Sequence, residues 1–187
     1  YESLKDLVDN LYVMDMPQMK TEEGRDLLRH EYKRFVQAVE ELTGKSIDVA
    51  GLKQGIRTVN AKRQAMARLQ RLRWADPAPI SGLDGLLASQ VFFYDNPERF
   101  TKSVNTLCDE LETRVKNKEG VRPQGTPRIL MSGCPMAVPN WKMPYLVESA
   151  GGVIVGEESC VGERGNRNLV DDSGETLDEL IDALVDR

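Results

Sequence analysis

Apolar residues recur at helical spacing through the first two thirds of the chain. Between Thr21 and Leu42 they fall at steps of three and four, at Leu28, Tyr32, Phe35, Val39 and Leu42. This spacing predicts a helix with one buried stripe that ends at Gly44. Asp48 then stands where the cap of a second long helix is expected. We expect the outer face of this second helix to carry a run of basic side chains: Lys53, Arg57, Lys62, Arg63, Arg68, Arg71 and Arg73.

The basic run has two interpretations. It is either a solvated helix face or a surface for an anionic partner. The basic residues are spread around the helix rather than clustered, which favours the solvated face.

Proline, serine and asparagine mark the boundaries of the next two helices. The segment 76–79 contains two prolines and ends the second helix. Ser81 suits the cap of a short apolar helix, and Asn96, which precedes a proline, suits the start of another. In that last helix Cys108 falls on the apolar face, so we interpret Cys108 as a core residue and not as a chemical one.

The period of the pattern changes after the loop 120–127, which is rich in proline and glycine. Two short apolar runs, 128–132 and 153–156, suit strands that are buried on both faces. A helix at about 140–150 separates them, and a last helix begins at Glu175. This β-α-β-α order predicts an α/β fold: a parallel sheet of the flavodoxin-like or Rossmann-like kind with helices on its faces.

This pattern divides the chain into three parts. Residues 1–20 contain a short amphipathic helix and a strand at 11–15, and we interpret them as the end of an N-terminal α/β domain. Residues 21–119 form a helical segment packed beside the sheet, and residues 120–187 begin a C-terminal α/β domain. The chain opens at a tyrosine and stops within a helical pattern, so we expect it to be incomplete at both ends.

Composition and charge exclude several classes of protein. The net charge of −5 argues against a general nucleic-acid binder, whose affinity rests on a basic surface. No apolar run approaches the roughly 20 residues of a membrane span, so we expect no membrane partner. An odd count of 3 cysteines is too few for a disulfide scaffold and favours a reducing, cytoplasmic compartment. Neither a P-loop nor a Gly-x-Gly-x-x-Gly motif is present to indicate a nucleotide site.

Two cysteines follow directly after the two predicted strands. Cys134 comes two residues after the first strand, and Cys160 lies just beyond the second. Parallel strands joined by a right-handed crossover end at the same edge of the sheet, and neighbouring strands are about 4.8 Å apart. We therefore expect the two thiols within roughly 5–10 Å of each other, at the edge where open α/β sheets bind ligands.

Two thiols at such an edge suit an iron–sulfur or zinc site, because thiolate ligands select those metals. Two unconnected buried cysteines, or a chance disulfide, would explain the same spacing. A Cys-x-x-Cys motif would favour a metal site more strongly, but none occurs. The single histidine, His30, lies in the first long helix and is interpreted as a surface residue.

Several stretches of the chain resemble one protein family. The segments are Leu-Tyr-Val-Met-Asp-Met-Pro at 11–17, Pro-Ile-Ser-Gly-Leu-Asp at 79–84, Arg-Ile-Leu-Met-Ser-Gly-Cys-Pro at 128–135 and Gly-Gly-Val-Ile-Val-Gly-Glu-Glu-Ser-Cys-Val-Gly-Glu-Arg at 151–164. They resemble the 2-hydroxyacyl-CoA dehydratase D-component family, which includes benzoyl-CoA reductase subunits and double-cubane cluster proteins. The resemblance extends over nearly the whole chain, with the segments in the family's order.

The resemblance implies an iron–sulfur site. Each subunit of the family holds a [4Fe–4S] cluster or a double cubane through three cysteines, and two of these match Cys134 and Cys160. The third lies in a Thr-Cys-Asp-Gly segment that would fall just before the first residue here, so a complete cluster is not expected on this chain alone.

The residues that flank these ligands are candidates for supporting the cluster. Ser132, Gly133 and Ser159 are expected to donate hydrogen bonds to cluster sulfur. Arg164 either holds an anionic group near the site or pairs with Glu157 or Glu158. The sequence indicates no catalytic residue.

The resemblance also implies the reaction. A full-length protein of this family is expected to be a hydro-lyase of anaerobic metabolism that removes water from a 2-hydroxyacyl-CoA by a ketyl radical. The required electron comes from an ATP-hydrolysing iron–sulfur activator protein, and the expected partner is a second dehydratase subunit or a second copy of the chain. The alternative is a double-cubane cluster reductase, or an electron-relay or scaffold subunit without catalysis of its own; by itself the present chain is expected to be inactive.

Overall fold

The computed structural model describes residues 3–4, 6–136 and 139–187. In chain order the helices are α1 (Glu22–Thr43), α2 (Val49–Arg73), α3 (Gly82–Val91), α4 (Pro97–Lys116), α5 (Lys142–Ser149) and α6 (Leu177–Val185), with one short 3-10 turn at Arg164–Asn166. Strands β1 (Arg128–Ser132) and β2 (Val153–Glu158) flank α5 and pair in parallel. The predicted α/β class and the parallel pairing are confirmed.

The contacts divide the chain into two compact units. One unit comprises Tyr1–Arg57 and Val170–Arg187, and the other comprises Thr58–Leu169. The predicted β-α-β-α order is present along the chain as β1, α5, β2 and α6, and the contacts of α6 assign it to the first unit. The three-part domain division proposed from the sequence stays a prediction about the whole protein. Within the described residues, no helix is both long and apolar enough to cross a membrane.

Capping residues begin α1 and α2, and end α1, where the sequence predicts. The Thr21 side chain accepts a hydrogen bond from the Gly24 amide, and α1 ends at Gly44 in the left-handed conformation, φ 66°. Asp48 Oδ1 accepts the Gly51 amide hydrogen bond at 2.7 Å, which satisfies a free donor at the start of α2. The core of the unit is Ile56, Val170 and Leu180, with Val49, Leu52, Ala183 and Leu184 packed against it.

The predicted buried stripe of α1 is wrong for two of its five residues, and the other three, Leu28, Tyr32 and Val39, are only half-buried. Phe35 and Leu42 are exposed, and Glu31 is the buried residue of the helix within the described chain. Ion pairs join α1 to α6. Three basic residues of α1 pair with two aspartates of α6 and with the aspartate that follows it: Arg25–Asp186 at 2.7 Å, Arg29–Asp182 at 2.8 Å and Lys33–Asp178 at 2.8 Å.

The helix and the strand predicted within residues 1–20 are also wrong for the residues that the structure describes. Residues 3–4 and 6–20 contain turns and irregular backbone; Tyr1, Glu2 and Lys5 lie outside the described part. A strand must satisfy its backbone groups with a neighbouring strand. Here the Asp15 amide instead donates to Glu31 Oε2 at 3.2 Å, and the Tyr12 hydroxyl donates to the same carboxylate at 3.4 Å.

Helices α3 and α4 and the second half of α2 form the main apolar core of the second unit. Ser81 caps α3, and Asn96 caps α4 with Pro97 in its first turn, as predicted. The buried members of this core are Ala65, Met66, Leu69, Ile80, Phe100, Val104, Cys108 and Leu111. Cys108 is 0% exposed, and burial raises the pKa of its thiol to about 11, so its interpretation as a core residue is confirmed.

Two of the basic residues assigned to the outer face of α2 lie inside the unit. The Lys62 ammonium donates to the Phe92 carbonyl and lies 4.3 Å from the centroid of the Phe92 ring. The ring face and the carbonyl replace part of the water that the charge loses on burial. Arg73 is 2% exposed, and its Nη2 donates to the Ile154 carbonyl at 3.2 Å. The solvated-face interpretation is therefore wrong for these two residues.

Strand β2 is buried, whereas β1 is not. Helices α3 and α5 both contact β2. Glu148 of α5 joins these elements, because its Oε1 accepts hydrogen bonds from the Gly82 amide at 2.6 Å and the Ile154 amide at 3.2 Å. The side chain of Leu130 in β1 is 64% exposed, so the prediction that both strands are buried on both faces is wrong for β1.

Cys108→Ser should destabilise the protein without disturbing its sheet. The change leaves a hydroxyl among apolar side chains, which costs about 1–3 kcal/mol of unfolding free energy when the hydroxyl has no partner. Chemical denaturation measures the difference. Ser103→Ala, on the exposed face of the same helix, serves as the control and should change the free energy by less than about 0.5 kcal/mol.

Glu31→Gln should weaken the first unit in a pH-dependent manner. Burial alone would raise the pKa of the Glu31 carboxyl, but hydrogen bonds from the Asp15 amide and Arg34 hold it below its ordinary value. The carboxylate therefore stabilises the fold above the unfolded-state pKa, and this stabilisation is lost as the pH falls through the lower folded-state pKa. The variant should melt below the wild type at pH 7, with a gap that closes towards pH 3. A gap of constant size, or an equal gap for the exposed control Glu41→Gln, would contradict the assignment.

Candidate functional site

The two strands end in register at one edge of the sheet. Ser132, the last residue of β1, pairs with Glu158, the last residue of β2. The Gly133 amide continues the contact by donating to the Glu158 carbonyl at 3.3 Å. Cys134 and Cys160 thus each lie two residues beyond the same paired position.

Both thiols are exposed and free. Neither cysteine is buried and no disulfide joins them, so the two alternatives that the spacing left open do not apply in this structure. The expected sulfur separation of roughly 5–10 Å stays a prediction.

A glycine makes the turn that carries Cys134 away from β1. The φ angle of Gly133 is 134°, a value that residues with a side chain rarely adopt. A Cβ atom at Gly133 would meet nothing within 4 Å, so backbone conformation and not crowding favours glycine here. Gly133, predicted as a cluster-flanking residue, therefore sets the direction in which the chain leaves β1.

The loop that carries Cys160 is closed by its own hydrogen bonds. Ser159 is buried, and its Oγ accepts from the Gly162 amide at 3.1 Å. The Glu163 amide donates to the Glu157 carbonyl at 2.9 Å, and a Cβ at Gly162 would lie 2.2 Å from that carbonyl oxygen. Ser159 thus holds the loop in shape, in addition to any contact with a cofactor.

Arg164 joins this loop to the end of β2. Its Nε and Nη2 donate to the two oxygens of Glu158 at 2.9 and 2.6 Å, and its Nη1 lies 3.9 Å from Cys160 Sγ. The hydrogen bonds from Arg164 hold the pKa of the Glu158 carboxyl below its ordinary value. The Ser132 hydroxyl donates to the same carboxylate at 3.3 Å. Of the two acidic residues considered for Arg164, it pairs with Glu158, and its contact with an anionic group stays a prediction.

A buried polar layer beneath the loops went unrecognised in the sequence. Arg73 of α2 approaches Glu157 Oε1 to 4.0 Å, and burial raises the pKa of the Glu157 carboxyl despite this cation. Gln90 of α3 donates from Nε2 to the Met136 carbonyl at 2.6 Å. In the sequence Gln90 is the one amide side chain of a largely apolar helix, which was a signal for it. Arg73 could not be told from the other basic residues of α2.

The arrangement suits binding of a metal that prefers sulfur. A metal ion can reach the exposed thiols of Cys134 and Cys160, whereas it cannot reach the buried Cys108. Across the described ranges, no group of three or more histidine, cysteine or acidic side chains is placed to hold a metal ion. In chemistry and accessibility the thiols of Cys134 and Cys160 fit an iron–sulfur group, which requires more ligands than these two.

Comparison with known proteins assigns the chain to a family of dehydratases. The family model for the 2-hydroxyglutaryl-CoA dehydratase D-component matches residues 1–187. The chain therefore belongs to the 2-hydroxyglutaryl-CoA dehydratase D-component family.

Two curated relatives agree with this family. The chain is 33% identical over 180 residues to the Escherichia coli (strain K12) protein named "Putative dehydratase subunit YjiM", a match that covers 94% of this chain and 46% of the relative. It is 22% identical over 169 residues to the (R)-phenyllactyl-CoA dehydratase beta subunit of Clostridium sporogenes, covering 90% of this chain and 43% of the relative. The chain thus spans less than half the length of these relatives.

Thiol labelling should separate the three cysteines. At pH 8, a maleimide should modify Cys134 and Cys160 in the folded, iron-free protein within minutes. Cys108 should react only after unfolding, because its thiol is buried and its pKa is raised to about 11. Peptide mass spectrometry identifies the labelled sites, with Cys108→Ala as the control that should leave native labelling unchanged. Native labelling of Cys108 at the rate of the other two would contradict the structure.

Proposed function

We propose that this chain is the thiol-bearing part of an iron–sulfur dehydratase subunit that acts on a 2-hydroxyacyl-CoA. The observation that carries the proposal is the in-register ending of β1 and β2, which brings Cys134 and Cys160 to the same sheet edge. Membership of the dehydratase family supports the reaction class. In this proposal Cys134 and Cys160 are cluster ligands, and the remaining ligands come from other parts of the full-length protein.

The neighbouring residues have roles that follow from their contacts. Gly133 turns the chain so that Cys134 leaves the strand end, and the hydrogen bonds of Ser159 fix the loop of Cys160. Arg164 keeps an N–H group within reach of Cys160 sulfur while Glu158 holds its guanidinium in place. Hydrogen bonds to a thiolate ligand stabilise its negative charge and raise the reduction potential of the metal group.

An iron–sulfur cluster held at this edge would supply one-electron chemistry and, where an iron keeps an open position, a binding place for a substrate oxygen. Dehydration of a 2-hydroxyacyl-CoA needs such help because the β-proton is barely acidic. We propose a ketyl-radical route after one-electron activation by an ATP-hydrolysing iron–sulfur protein, with a second dehydratase subunit as partner. A cytoplasmic location in anaerobic metabolism is consistent with this chemistry, because low-potential clusters and free thiols need reducing conditions.

The ligand assignment can be tested in the full-length protein produced without oxygen. Cys134→Ser and Cys160→Ser should each lower the iron and sulfide content, because a hydroxyl oxygen is a poor substitute for thiolate at iron. Dehydratase activity should fall by more than about 10- to 100-fold. That range is typical for the loss of a residue that only hydrogen-bonds to a metal ligand. Cys108→Ser is the matched control and should keep its iron content. Equal loss of iron in all three variants would show that the ligands are misassigned.

The same preparation distinguishes the proposed dehydratase from its alternative. Release of water from a series of 2-hydroxyacyl-CoA substrates, in the presence of a partner subunit and activator, would support the dehydratase. About eight irons per chain in a homodimer that dehydrates none of these substrates would instead indicate a double-cubane reductase or an electron-relay subunit.

A further inference from the structure

We propose that Arg73 and Gln90, two buried polar side chains from α2 and α3, are positioning residues that set the separation of the Cys134 and Cys160 thiols. Each reaches the chain close to one of the two cysteines. The inference deepens the proposed function, since a fixed sulfur separation matters because the thiols are ligands. The positioning itself depends only on contacts that are present without a metal.

Gln90 acts on the Cys134 side. The residue is 5% exposed, and its Nε2 donates a 2.6 Å hydrogen bond to the carbonyl of Met136, two residues after Cys134. On the other side of the cysteine, the Gly133 amide donates to the Glu158 carbonyl at 3.3 Å. Cys134 therefore lies between two backbone attachments, one to β2 and one to α3.

Arg73 acts on the Cys160 side. Its Nη2 donates to the Ile154 carbonyl, and its guanidinium lies 4.0 Å from Glu157 Oε1 at the base of the Cys160 loop. An ionised side chain in a protein interior is strongly unfavourable unless opposite charges and hydrogen bonds surround it. Strand β2 must therefore remain where the Ile154 carbonyl, near its start, and the Glu157 carboxylate, near its end, both face Arg73.

The position of Glu157 is transmitted to Cys160 through the backbone. The Glu157 carbonyl accepts the Glu163 amide hydrogen bond at 2.9 Å, and the close approach of Gly162 leaves no room for a side chain there. A displacement of Glu157 would therefore displace both ends of the loop 157–163, which contains Cys160.

The positions of Arg73 and Gln90 both depend on helix α3. Arg73 packs against α3 at Gly85, where a Cβ would lie 2.6 Å from the guanidinium carbon Cζ. Gln90 lies five residues further along the same helix, and α3 also contacts β2 and α5. The packing of α2 against α3 thus supports both cysteine loops.

The test measures how readily Cys134 and Cys160 form a disulfide with each other. In the full-length, iron-free protein, the fraction of this disulfide over a series of glutathione redox ratios gives the effective concentration of one thiol near the other. Trypsin cleavage after Arg128, Lys142 and Arg164 places the two cysteines on separate peptides, so mass spectrometry identifies this disulfide specifically. No iron is required, so a failure of the proposed function leaves this measurement intact.

Gln90→Met removes the donor and keeps the length of the side chain. It should lower the effective concentration about 3- to 10-fold, which corresponds to about 0.7–1.4 kcal/mol and lies within the range for the loss of a hydrogen bond. Arg73→Met alone would leave the Glu157 carboxylate buried without a cation and could unfold the protein. The second variant is therefore the double change R73M/E157M. Replacement of a buried ion pair by apolar side chains of similar volume is tolerated, and a similar decrease is expected.

Gln70→Met is the matched control. Gln70 is 6% exposed in α2, and its Nε2 has no hydrogen-bond partner among the described residues. The control should leave the effective concentration within about 2-fold of the wild type, with thermal stability recorded for every variant.

Each result either supports or overturns the proposal. A decrease in Gln90→Met and R73M/E157M, with Gln70→Met unchanged, supports positioning. An unchanged effective concentration in either test variant, or an equal decrease in Gln70→Met, overturns the proposal. Iron reconstitution of the same variants then reports on the ligand role separately: a protein that binds no iron even as wild type refutes the proposed function and not the positioning.

Discussion

The parallel pairing of β1 with β2 is the constraint on which the candidate site depends. Because Ser132 and Glu158 are paired as the last residues of their strands, the chain leaves both strands at the same level and in the same direction. Only this arrangement gives two cysteines, far apart in the sequence, a common edge. An antiparallel pairing would have placed Cys134 and Cys160 at opposite ends of the same two strands.

The sheet itself is too small to hold this edge rigidly. Isolated two-stranded sheets are marginally stable, so the helices must supply the support. They do so through polar contacts with β2: Glu148 binds the amides of Gly82 and Ile154, and Arg73 binds the Ile154 carbonyl. Such buried polar contacts are directional, and they fix the strand in one position where apolar packing alone would tolerate sliding.

Local chemistry made much of the fold predictable. Thr21, Asp48, Ser81 and Asn96 each sit at the start of a helix because a short polar side chain satisfies free backbone amides there, and this requirement is legible in a few residues of sequence. The apolar face of α4, with Cys108 on it, followed from spacing in the same way. The change from helical to strand period after residue 127 likewise identified β1, α5 and β2.

The errors occurred where a residue's environment depends on distant parts of the chain. The amphipathic pattern of α1 gave no sign that two aspartates of α6 and the aspartate that follows it would pair with α1, and a spacing rule could not tell Arg73 from the exposed arginines of α2. The same limit applied to residues 11–15, whose strand-like sequence meets the carboxylate of Glu31 instead of another strand.

The sequence by itself determined the helix boundaries, the strand order and the two cysteines that follow the strands, because each of these depends on neighbours within a few residues. Only the tertiary structure decided that both thiols are exposed, that Arg164 pairs with Glu158, and that Gln90 and Arg73 reach the two cysteine loops. The physical reason is that burial and ion pairing are set by which elements pack together. That choice minimises the free energy of the whole chain and leaves no signature at any single residue.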